Sequence, residues 1–232
     1  EERQELWADC RSPNLPAPDP ATDIDLSDTV FSTTVSFEHF TFPATTMFTR
    51  SAFQRNAYFL HAAFQRGAYF LHVAFQGYAY FEHAAFKEDA YFQHAAFQGN
   101  AIFNGSATRE DTAKFRQFSG FVNFDNVTFS GSADFTNREF LNKSNFNNAK
   151  FLTRVPVFAA TTLHEGTTWH SVQWPGAPDD PIAARDMADA YSHLRRRSNA
   201  IQDHEAELDF YARELQAKRA AVGGATGFLI SL

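Results

Sequence analysis

Five histidines, His39, His61, His72, His83 and His94, are separated by multiples of eleven residues in a chain of 232. Imidazole is the commonest protein metal ligand, and its ordinary pKa lies close to physiological pH. A regular His series therefore raises two chemistries: a metal ion bridged by neighbouring rings, or an acid-sensitive stack in which protonating one ring opposes protonating the next. No Asp, Glu or Cys recurs in register to complete a ligand set. The single Cys10 excludes an intrachain disulfide framework and a Cys-rich metal site. A third reading is that His recurs because the chain recurs. Tyr58, Tyr69, Tyr80 and Tyr91 follow the same eleven-residue interval and read either as an exposed aromatic binding surface or as a shield over a sheet. HEGTTWH (164–170) has the wrong spacing for HExxH, and GxSxG and a Gly-rich strand-to-helix loop are absent. The expectation is a protein that is not an enzyme and uses no cofactor.

What positions these side chains is a repeat. AAFQRGAYFLH (62–72) is followed by VAFQGYAYFEH, AAFKEDAYFQH and AAFQGNAIFNG. Phe53, Phe59, Phe64, Phe70, Phe75, Phe81, Phe86, Phe92, Phe97 and Phe103 succeed one another in alternating steps of six and five. The rhythm reaches back to Leu26, pauses over NGSATREDTAKFRQ (104–117), and resumes from Phe118 as far as Trp174. Two residues before most of these markers stands a small residue, such as Ala57, Ala62 or Ala68. Alternation along an extended segment puts marker and small residue on one face, with the residue between them, Tyr58 for example, on the other.

Segments this short bury nothing alone and must stack into a solenoid. Stacking in register requires a coil that is a multiple of eleven. An eleven-residue coil needs two full reversals, which call for Gly or Asn at positive φ, whereas these corners read Gln-Arg, Leu-His and Lys-Glu. A four-sided, 22-residue coil follows. It gathers the histidines into two columns on opposite sides, His39/His61/His83 and His72/His94 with Arg50 in line, and pairs Tyr58 with Tyr80 and Tyr69 with Tyr91. The extra residue of each long step, Gly67 for example, reads as a corner bulge.

The unit Ala-x-Phe-x-x in AAFQR, AYFLH and ADFTN resembles the pentapeptide-repeat proteins, over residues 26–174. The resemblance implies a mainly-β fold, a right-handed quadrilateral parallel β-helix with the Phe and the small residue inside, here of about seven coils. An acidic N-terminal arm or cap (1–25) precedes it. A linker (175–181), an α-helical region (182–219) and an uncharged tail (220–232) follow.

AYSHLRRRSNAIQDHEAELDFYARELQAKR (190–219) is similar to a helical region that precedes transmembrane helices in some bacterial pentapeptide-repeat proteins. Met187, Tyr191, Leu194, Leu208 and Leu215 fall at helical spacing, as one helix or, more in keeping with Asp203 as an N-cap, as two. AAVGGATGFLISL (220–232) has no charge but is shorter than the ~20 residues that span a bilayer, and is read as the start of a membrane helix. Lys218 and Arg219 before it place the coil on the cytoplasmic side. Expected partners are a protein, or a second copy bound through the C-terminal helices. The body from 26 to 174 carries eleven acids and eleven bases. This balance disfavours nucleic acid as a partner and also disfavours a DNA-mimicking topoisomerase-binding role, for which a column of carboxylates is needed.

Overall fold

The computed structural model describes residues 23–105 and 117–229, with the backbone alone over 223–229. Twenty-two strands of two residues each, from Ile24–Asp25 to Lys150–Phe151, form four parallel sheets of six, six, five and five strands. Partners lie 22 residues apart, as in Ala52↔Ala74↔Ala96 and Ala57↔Ala79↔Ala101. Across the interruption the offset widens to 32, as in Phe86↔Phe118 and Ala90↔Val122, ten more than 22, and the register is kept.

The ladders complete between five and six turns. A further turn holds on by single bridges at Val157, Thr162, Thr168 and Gln173. Together these make six to seven turns, near the seven expected. After Phe151 the step lengthens to seven residues, and Pro156 has no N–H to donate.

The ten Phe from Phe53 to Phe103 are all within 1 % of complete burial. Each ring stacks on its counterpart one coil away, as Phe70 does on Phe92 (4.9 Å, 2°), and meets the next column edge-on, as Phe59 meets Phe70 (5.7 Å, 90°). Both are favourable aromatic geometries, worth roughly 0.5–1.5 kcal/mol per pair beyond area burial. Alanine between the columns lets the rings approach, and Ala57, Ala62, Ala68 and Ala79 are fully buried.

The corners differ from expectation. Each five-residue step closes a turn such as Phe59–Ala62, where the Ala62 N–H donates to the Phe59 carbonyl at 3.0 Å. The third residue of that turn is left-handed: His39, His61, His72, His83 and His94 have φ of 54–58°, and Asp28, Arg50, Asn126, Asn137 and Asn148 lie in the same region. Positive φ is thus required at every second corner, supplied mostly by His, Asn and Asp, the non-glycine residues that tolerate it best, and by Arg50 in one early coil. The six-residue corners are open bends. There glycine serves close approach, since a Cβ on Gly77 would lie 2.5 Å from the Arg55 carbonyl carbon.

Beyond the coil come two helices, α1 (Pro181–Ala200) and α2 (His204–Leu229). The Asp180 carboxylate caps α1 through the Ala183 N–H, with Pro181 preorganising the first turn. Asp203 caps α2 through the Ala206 N–H at 3.0 Å. Met187, Tyr191, Leu194 and Phe210 are buried in the same core as the Phe columns. Trp174 meets Tyr191 at 5.9 Å and Phe210 at 5.3 Å, and Trp169 meets Phe210 at 6.0 Å. The helix pair therefore closes the C-terminal end of the coil. Buried Glu214 on α2 ties the helices together by accepting from Arg195 on α1 (2.8 Å) and from Lys218 (2.6 Å).

Candidate functional site

Turn geometry brings the histidines together as the 22-residue coil requires. His39 stacks on His61 at 4.8 Å and 3°, His61 on His83 at 4.8 Å and 18°, and His72 on His94 at 4.6 Å and 3°. Parallel rings point their in-plane lone pairs side by side, whereas a metal ion requires lone pairs that converge on a point ~2.0–2.1 Å from each nitrogen. Among the described residues no group of three or more His, Cys, Asp or Glu could hold a metal ion. Arg50, next in the second column, forms a two-pronged bridge to Asp28, both contacts at 2.7 Å. Burial, and then the neighbouring His94 and Arg50, lower the pKa of His72. What His72 offers chemically is resistance to protonation.

The tyrosines separate into two environments. Tyr58 and Tyr80 stack at 4.7 Å and 2° on a partly exposed side, joined edge-on by Tyr78, which is 45 % exposed. Tyr69 and Tyr91, stacked at 5.0 Å, are each only 6 % exposed and form a cluster outside the coil with Met47 and Leu71, against Phe121. The Tyr69/Tyr91 column is therefore not an exposed surface. Burial, and then the charge of Asp89, push the Tyr69 phenol up to about 12. The Tyr91 hydroxyl donates to Asp89 at 2.9 Å. In the later coils the equivalent outward positions are Asn123, Asp134 and Asn145, whose side-chain oxygens accept the N–H two residues on at 2.8–3.0 Å.

One buried charge escaped the sequence reading. Arg138 is fully buried at the inward position two before Phe140, where the coils above carry Ala62 and Ala84. Its guanidinium lies 4.3 Å from the Phe118 ring centroid, and Nη2 donates to the Ala84 carbonyl at 2.6 Å. This is the level at which Phe86 pairs with Phe118 across the interruption. The signal was available, since Arg138 breaks the small-x-Phe pattern directly below the interruption.

Two grooves of about 320 and 340 Å³ flank the helix pair. The first runs beside Arg154, Pro178 and Asp186, the second beside His170, Trp174 and Asp209.

Known proteins do not extend this picture. No family model, curated protein or solved structure matches the chain. The stacked 22-residue coil with inward Phe is itself consistent with a pentapeptide-repeat fold.

Proposed function

We propose that the chain is a non-enzymatic scaffold of the pentapeptide-repeat type that presents its outer columns to a protein partner. The observation that carries this reading is the filled interior: the Phe columns and alanines occupy the coil from end to end, so all recognition chemistry is on the outside. The partly exposed stack of Tyr58, Tyr78 and Tyr80 is the contact surface this reading favours, because aromatic rings supply large contact area at little conformational cost.

The reading extends to attachment at a bacterial membrane, with the coil on the cytoplasmic side. Its support is the basic pair Lys218 and Arg219 followed by the uncharged stretch from Ala220. Among the described residues no helix is long and apolar enough to cross a membrane, so attachment rests on the chain end.

Photo-crosslinking from position 78 in native membranes tests both parts. A single saturable adduct, lost in Tyr58→Ala/Tyr80→Ala at unchanged thermal stability, is expected, with the protein in the membrane pellet. No adduct above a Gln54 control would remove the contact surface, and recovery in the alkaline-wash supernatant would remove the attachment.

A further inference from the structure

Helix α2 has two apolar faces. Phe210, Glu214, Ala217 and Ala221 are buried on the side that meets the coil end and α1. Leu208, Ala212, Leu215, Arg219 and Val222 fall within an arc of about 80° on the opposite side. Leu208 and Val222 are 69 % and 65 % exposed, and Ala212 is exposed between them. Exposed Tyr211 borders this stripe, with the Arg195 guanidinium 5.6 Å from its ring centroid. An apolar stripe turned away from the chain's own core is a contact surface for another element.

Charge along the same helix selects the occupant. Residues 204–209 carry Glu205, Glu207 and Asp209 and no Lys or Arg, whereas 211–222 carry Arg213, Lys218 and Arg219 against Glu214 alone. Within the chain Asp209 pairs with Arg213 and Glu214 with Lys218. Glu205 and Arg219, exposed towards opposite ends of the stripe, enter no ion pair among the described residues. A surface acidic at one end and basic at the other is complementary to itself when turned end for end, which is what a two-fold contact requires. A uniformly charged partner or an anionic lipid surface would match one end and be opposed by the other.

We propose that α2 pairs antiparallel with α2 of a second copy of this chain, about a two-fold axis at Ala212, with Glu205 of each copy opposite Arg219 of the other. Ala212 stands midway between 205 and 219, and its small side chain lets the helices approach at the axis. Leu208 of one copy then comes within one residue of the level of Leu215 of the other. The contact is separate from the Tyr58 surface, and Tyr58→Ala/Tyr80→Ala should leave it unchanged.

The test is sedimentation equilibrium of the full chain over a concentration series, in a non-ionic detergent that disperses the uncharged tail. A reversible monomer–dimer equilibrium that weakens as salt rises is expected. Glu205→Lys or Arg219→Glu should each raise the dimer Kd about tenfold, since either change reverses both symmetry-related pairs, and the two together should restore it to within about threefold. Leu208→Glu should leave only monomer at an unchanged melting temperature, because this side chain lies outside the chain's own core. Oxidation of Ala212→Cys in a Cys10→Ser chain should give a disulfide-linked dimer, and Gln216→Cys should not, being displaced along the helix from its counterpart. A monomer at every concentration, whether the stripe then takes up another protein or vesicles, would overturn the proposal. A dimer indifferent to the charge exchanges would assign association to the tail, and crosslinking at 216 as fast as at 212 would exclude the axis; either result equally overturns it.

Discussion

The coils from Ala52 to Phe103 and those from Phe118 to Phe151 share one backbone and one interior but have different outer surfaces. In the earlier coils the left-handed corner is His and the outward strand position is Tyr, giving way to Ile at 102. In the later ones the corner is Asn (Asn126, Asn137, Asn148) and the outward position is Asn or Asp. Inside, both stack Phe on Phe at about the same spacing, 4.9 Å for Phe81 on Phe103 and 5.0 Å for Phe124 on Phe146. The fold thus constrains the ring columns and the sign of φ, and leaves the outer chemistry free to diverge.

The interior should not distinguish the two regions. Phe81→Ala and Phe124→Ala should each cost about 3–5 kcal/mol in denaturant unfolding. A cost below 1 kcal/mol in either region would show that its column is not close-packed.

Arg138 marks the boundary between the regions. Arg138→Ala should cost roughly 2–3 kcal/mol, because a buried carbonyl loses a charged donor. Arg138→Lys should recover little of this, lacking the planar group that lies against Phe118.

The corners should separate residue type from backbone demand. His61→Asn should change stability by less than about 0.5 kcal/mol and Asn137→His likewise, whereas His61→Val should cost about 1–2 kcal/mol for forcing a β-branched residue to positive φ. Equal effects of Asn and Val at 61 would deny the corner its role.

The smallest expected effect is on pH dependence. The pKa of His72 is lowered in the folded state, so the unfolded chain binds more protons as pH falls below the ordinary value near 6.5. The contribution of His72 to stability is therefore complete above that value and lost as pH falls through the folded one. His72→Asn should flatten the fall in melting temperature between pH 7.5 and pH 5, and an unchanged slope would exclude His72 as its source.

The interior was legible because the six-and-five Phe spacing and the small residue two before each marker fix coil length, sides and inward faces. The break between the helices was legible from Asp203. The left-handed corners were not, because the usual signal is Gly and here the sequence substitutes His. The burial of Tyr69 and Tyr91 depends on Met47, Leu71 and Phe121 from other coils, which no local pattern reports. The capping of the coil by Tyr191 and Phe210 is likewise a long-range contact. The helical spacing of Met187, Tyr191 and Leu194 identifies an apolar stripe but not the surface that it covers, and on α2 the stripe read through Leu208 misses, since Leu208 is exposed and Phe210 is buried instead.

Replacing His39, His61, His72, His83 and His94 together by Asn is the most direct test that their eleven-residue period comes from the corner backbone. Denaturant unfolding at pH 7.5 should show one cooperative transition within about 1 kcal/mol of the parent, as five tolerated positive-φ exchanges imply. A loss of several kcal/mol, or of cooperativity, would show that the imidazole stacks themselves hold the coil together.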